Sequence, residues 1–164
     1  MKKIIRTVFI LFMLLNVVGC TSTKQNELES GIDLNNFYQA ILDIQPEEAE
    51  ELILFEESNP ALIESFYPGL ESIELSQKVF YMPPIATHPC EIVIVEVKNS
   101  DDVEEVVEIF KTRIELGANI TNYPESATGW KLYAQVHQSG NYVCMIVLPK
   151  GYVVPDNVFE LLNK

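Results

Sequence analysis

Two pairs of residues in this sequence have the side-chain types for chemistry: His88 with Cys90, and His137 with Cys144. Imidazole and thiolate together suit zinc, which takes nitrogen and sulfur donors. Their spacing does not, because the first pair is two residues apart and the second seven, neither a finger nor a zincin pattern. No metal and no cofactor is therefore expected. Cys90 beside His88 also has the composition of a nucleophile and its base, but the chain has two histidines in all and no Gly-x-Ser-x-Gly turn. Pro89 between them also interrupts a strand. Carboxylates cluster at Glu47, Glu48, Glu50 and Glu51, and again at Asp101, Asp102, Glu104, Glu105 and Glu108. Neither cluster has the alternating ligands and inner glycine of a calcium loop, and nothing singles out two acids for glycoside hydrolysis. Both read as solvated helix faces.

A third cysteine, Cys20, sits in a different context. Lys2, Lys3 and Arg6 precede an apolar run from Thr7 to Val18, and Gly19 supplies a small residue at a cleavage position, which is the layout of an export signal. The run is broken by Asn16 and falls short of the ~20 apolar residues that cross a bilayer. Val17-Val18-Gly19-Cys20 looks like a lipobox, so residues 1–19 are expected to be removed between Gly19 and Cys20 and Cys20 to be lipidated. Each buried CH₂ of an acyl chain contributes about 0.8 kcal/mol, and two chains hold where one is marginal. The expected location is the cell membrane, with the chain lipid-anchored on its extracytoplasmic face.

Losing Lys2, Lys3 and Arg6 with the signal takes the formal charge from −13 to −16. A surface that acidic repels phosphate backbones and anionic headgroups, which excludes nucleic acid as a partner and leaves the anchor without a polybasic helper. Residues 20–31 are polar and small and form a flexible leash with a reach of roughly 18 Å. Residues 32–164 match the size of one domain with enough Val, Ile, Leu, Phe and Tyr for a core. Cys90 and Cys144 fall in a compartment where a disulfide is allowed, and buried free thiols are the alternative.

The elements that position these groups follow from periodicity. Asp33 caps a helix with Leu34, Phe37, Tyr38 and Ile41 on its apolar face. Pro46 starts a second helix with Ala49, Leu52 and Ile53 as its stripe, and Pro60 a third, running to Phe66 and ended by Tyr67-Pro68-Gly69. Lys78 to Met82 reads as a short strand. Glu91 to Val97 is β-branched almost throughout, as expected of a strand packed on both faces. Asp101 and Glu104 stand at capping-box separation before a helix carrying Val103, Val106, Val107, Phe110 and Ile114, closed by Gly117. Trp130, Leu132, Ala134 and Val136 alternate with polar residues as a half-buried strand, Ser139-Gly140 turns, and Tyr142 to Leu148 returns. A terminal helix covers Asp156 to Leu162. The fold class is α+β: a small antiparallel sheet built on a strand-helix-strand-strand unit, preceded by helices and followed by a short C-terminal helix.

Pairing across that turn sets His137 opposite Tyr142, Val136 opposite Val143, Ala134 opposite Met145 and Leu132 opposite Val147. The other face then carries Tyr133, His137, Tyr142, Cys144 and Ile146. It is too apolar to be fully solvated, so either the amino-terminal helices cover it or Tyr133, His137, Tyr142 and Ile146 form an interaction surface.

Several ordered stretches also carry a likeness. Tyr81-Met82-Pro83-Pro84-Ile85, Cys90 to Lys98, Phe110-Lys111-Thr112-Arg113, Tyr123-Pro124 and Gly140-Asn141-Tyr142-Val143 together resemble domain-of-unknown-function family 4358 over Leu34 to Leu162. The resemblance implies a small lipoprotein of a Gram-positive, clostridia-like bacterium, with no assigned activity and no active site to transfer. His88, Pro89 and Cys90 stand where similar chains more often have small residues and an acidic one.

The expected function is that of a membrane-anchored extracytoplasmic lipoprotein whose domain is a non-enzymatic binding or interaction module of the cell envelope. Its partners are the membrane through Cys20 and an envelope protein or small ligand, with no oligomeric state implied. The alternative is an envelope-acting hydrolase using the clustered carboxylates or the His88/Cys90 pair.

Overall fold

In the computed structural model the described residues are 32–164 except 48, 50, 51, 86, 87, 155 and 164. The signal, Cys20 and the leash lie outside them, as do Glu48, Glu50 and Glu51 of the first acidic cluster. Residues 32–164 form one compact unit.

The sheet is built around Glu91–Val97 (β3), whose run of β-branched residues is buried on both faces. Leu75–Met82 (β2) pairs with one side of it and Tyr142–Val147 (β5) with the other. Phe55–Glu56 (β1) and Gln135–Ser139 (β4) form the edges, giving the order β1-β2-β3-β5-β4 with every pairing antiparallel.

Helices cover both faces. Leu34–Asp43 (α1) starts where Asp33 Oδ1 accepts the Asn35 N–H at 2.9 Å, and it buries Leu34, Phe37, Tyr38 and Ile41 as its periodicity predicts. With the 3-10 helix Asp156–Asn163 it covers the face carrying Ile92, Ile94, Cys144 and Ile146. The opposite face, with Val93, Val95, Val143, Met145 and Val147, lies under Pro60–Phe66 (α2) and Val103–Ala118 (α3), joined by Trp130 of Pro124–Tyr133 (α4). The α+β architecture is as the sequence predicts, with a five-stranded sheet.

Several local expectations are corrected. Pro46, Glu47, Ala49, Leu52 and Ile53 lie in turns and extended chain rather than a helix. Asn99, not Asp101, caps the approach to α3: its Oδ1 accepts the Asp101 N–H at 3.2 Å and opens the 3-10 turn Ser100–Asp102. Residues 130 to 133 are the last turns of α4 rather than a strand. Pro124 at the first helical position and Glu125 in the first turn start it, and Ser126, Ala127 and Trp130 are buried at helical spacing while Leu132 is exposed. The unit is therefore strand, two helices, then two strands.

The β4–β5 turn is Gly140-Asn141, with Gly140 at φ 55°, the position a tight two-residue hairpin gives to glycine. It pairs Ser139 with Tyr142, so His137 faces Cys144 and Val136 faces Met145, two residues away from the expected register. A shift of two leaves each side chain on its expected face. The face expected to form an interaction surface is instead largely covered, with Ile146 buried and His137 and Tyr142 half-buried. Ile146 is fully buried beneath α1, His137 stacks on Phe159 with ring centroids 3.6 Å apart, and Tyr142 packs against the same cluster. Tyr133 belongs to α4 and is separate from them.

Cys90 and Cys144 are both buried and unbridged. Cys144 sits opposite Ile94, four residues along from Cys90. At about 3.4 Å per residue that separation is twice what a disulfide spans.

Gly117 does not end α3, which runs one residue further. Its role is to let Trp130 lie directly on the helix backbone, since a Cβ at residue 117 would overlap the indole. Gly117→Ala should cost about 1–3 kcal/mol, the usual penalty for overpacking. Urea unfolding should show the loss and Trp130, the chain's one tryptophan, should emit further to the red. Unchanged stability and emission would mean that the α3–α4 contact is loose.

Candidate functional site

A charge at a buried position needs an opposite charge within reach. Two such residues meet at the end of the sheet where β3 begins. Glu91 alternates with Val93 and Val95, so its carboxylate points into the core beneath α2 and α3, where it is 1% exposed. Arg113 continues the buried stripe of α3 after Val106 and Phe110 and is 7% exposed. Its Nε donates to Glu91 Oε1 at 3.2 Å and its Nη2 to Oε2 at 2.6 Å, a two-point fork. The Tyr67 hydroxyl donates to Oε1 as well. Complete burial pushes the Glu91 carboxyl up, and the charge and hydrogen bonds of Arg113 pull it back only in part.

Aromatic rings enclose the pair. The guanidinium carbon lies 4.4 Å from the Trp130 ring centre and 4.8 Å from that of Phe66. Tyr67 in turn meets Phe80 and Phe110 with centroids 5.4 and 5.7 Å away. Each element thus delivers one part: β3 the carboxylate, α3 the guanidinium, α2 and its end Phe66 and Tyr67, and α4 the indole.

Above the pair opens a cleft of about 500 Å³. Glu91 and Arg113 are among its lining groups, Phe66, Trp130, Leu62 and Ile120 form apolar walls, and the end of β2 with Pro83, Pro84 and His88 closes the other side. A mostly apolar concavity with a few fixed polar groups is the usual form of a ligand site. A second cleft, about 740 Å³, lies across the Pro83–His88 loop and is lined by Leu52, Ile53, Ile85, Cys90 and Tyr152 among others. It is larger, but among the described residues that line it none is a buried charge that could orient a ligand, so the Arg113 cleft is the better candidate.

His88 is exposed and lines both clefts, whereas Cys90 is 5% exposed and lines the larger one. Burial pushes the Cys90 thiol up to about 12 and the Cys144 thiol higher still, which disfavours the thiolate a nucleophile needs. Glu104, Glu105 and Glu108 are exposed on α3, with Glu108 paired to Lys111 at 2.6 Å. Among the described residues no three His, Cys, Asp or Glu side chains gather as a metal site requires, and none of their helices is long and apolar enough to cross a membrane.

Sequence reasoning located Glu91 in the strand and Arg113 in the helix without joining them. The signal was present, because an arginine on an apolar helix stripe and a glutamate in phase with buried valines each require a partner.

Residues 56–148 match the family described as Domain of unknown function (DUF4358), and the chain belongs to it. The matched stretch contains Glu91, Arg113 and Trp130, with Tyr67 between them and β1. No curated protein and no solved structure matches the chain.

Removing one member of a buried ion pair costs about 3–5 kcal/mol, while replacing both with apolar residues is often close to neutral. Glu91→Leu should therefore be strongly destabilising in urea, and adding Arg113→Met should recover most of the loss. Additive losses in the double variant would show that the two side chains are not coupled. With Cys20 replaced by alanine, Cys90 and Cys144 should react with a chromogenic disulfide reagent only as fast as the domain unfolds, and at once in urea. Rapid labelling of the native protein at neutral pH would contradict the burial and raised thiol of Cys90.

Proposed function

We propose that this protein is a lipid-anchored lipoprotein on the extracytoplasmic face of a Gram-positive cell membrane, and that its domain is a non-enzymatic binding module with the Arg113 cleft as its ligand site. The observation that carries the binding reading is the cleft itself: an apolar concavity over a fully partnered carboxylate and a guanidinium with donors to spare. The membrane reading rests on the signal layout and on Val17-Val18-Gly19-Cys20. The partners it implies are the membrane through Cys20 and an envelope protein or small ligand at the cleft.

Ile32, the first described residue, lies at the end of β3 away from the cleft. Ile32 is held by the Tyr142 hydroxyl at 3.4 Å and by Gln77 at 3.0 Å, beside the last residues of β3. Glu91, under the cleft, is the first residue of that strand. A cysteine hydrolase at His88 and Cys90 is the less favoured reading, since the raised Cys90 thiol supplies little thiolate at neutral pH.

Cells fed a palmitate analogue should incorporate it into the wild-type chain in the membrane fraction, and Cys20→Ala should abolish the label. Label persisting in the variant would overturn the anchor.

A further inference from the structure

The chemistry lining the Arg113 cleft selects among ligands. Arg113 has five N–H donors, and its hydrogen bonds use Nε and Nη2, leaving Nη1 without an acceptor among the described residues. Glu91 offers little in return. Its Oε1 already accepts from Tyr67 and from Arg113 Nε, its Oε2 accepts from Nη2, and almost none of it reaches solvent. The polar element that the ion pair presents to a ligand is thus a donor.

Charge then narrows the class. Glu57 lines the same cleft, its Oε1 accepting the Asn59 N–H at 2.6 Å. With His88 neutral, as in the chain's formal charge of −13, two carboxylates and one guanidinium leave no net positive charge to hold an anion. A cation would find Glu91 sheltered behind the guanidinium and Glu57 with one carboxylate oxygen already held by the Asn59 N–H. What remains is an uncharged ligand whose oxygen accepts from Nη1 and whose body rests on the walls of Phe66, Trp130, Leu62 and Ile120.

We propose that the Arg113 cleft binds a neutral, apolar ligand bearing a carbonyl oxygen, of the kind an acyl amide or an apolar stretch of peptide presents. The inference rests on the reading of this cleft as the ligand site. A volume of about 500 Å³ accommodates one such group of small-molecule size.

Trp130 is the chain's single tryptophan and lies in the cleft wall, so its emission reports occupancy directly. The test titrates the full chain with three matched probes: 4-phenylbutyramide, 4-phenylbutyrate and 4-phenylbutylamine. The expected result is a saturable change in emission with the amide at least about tenfold tighter than either charged probe and less than twofold altered by 0.5 M salt. Leu62→Phe, a change at a partly exposed wall position, should weaken the amide about tenfold by narrowing the entrance. Tighter binding of the carboxylate or the amine in the wild type would overturn the ligand class while leaving the cleft as a binding site. Saturable binding unaffected by Leu62→Phe, or no saturable binding of any probe, would overturn both the class and the site.

Discussion

Taking a carboxylate and a guanidinium out of water costs several kcal/mol for each ion, and the cost is met only if the partners meet in good geometry with their remaining polar atoms satisfied. Glu91 and Arg113 set that condition for this domain. For the fork to close, α3 must cross the sheet so that residue 113 falls over the first residue of β3. For water to stay out, the end of α2 and the indole of α4 must both come against the guanidinium. For the indole to arrive, α3 must carry no side chain at residue 117. One ion pair thus constrains the placement of three helices on one face.

The two faces of the sheet are held differently. Beneath α1 and the C-terminal 3-10 helix the contacts are almost wholly apolar, Ile92, Ile94 and Ile146 meeting Leu34, Phe37 and Ile41. Burial there supplies stability without much directional demand, at about 25 cal/mol per Å² of apolar surface. On the α3 face the same kind of burial continues toward Val97 and Val103 but gives way, at the start of β3, to the charged pair and its aromatic surround. The cleft opens at that transition. Where close packing yields to a fixed polar group beside incomplete cover, a ligand can take the place of missing protein.

Much of this architecture was legible in the residues. The β-branched run of β3 and the apolar stripes of α1 and α3 declare themselves because burial selects one side-chain type at one period. α4 was concealed because Trp130, Leu132, Ala134 and Val136 also alternate, and a period of two over four residues competes with a helix whose buried positions are Ser126, Ala127, Gly129 and Trp130. The register of β4 on β5 depended on where the turn is centred, on Ser139-Gly140 as expected or on Gly140-Asn141 as found, and the Gly140 backbone rather than hydrophobicity decides it. The cleft was least legible. Its parts lie on β1, α2, β2, β3, α3 and α4, and only folding brings residues as distant as Phe55 and Trp130 to one concavity.

Arg113 is locked to Glu91 away from water, and its side-chain Nε–H reports this directly. In a nitrogen-15 labelled sample, Arg113 should give a distinct Nε–H resonance whose exchange with solvent is as slow as that of the β3 amides and which is lost in Glu91→Leu. An Arg113 signal exchanging as fast as that of an exposed arginine in the folded domain would contradict it.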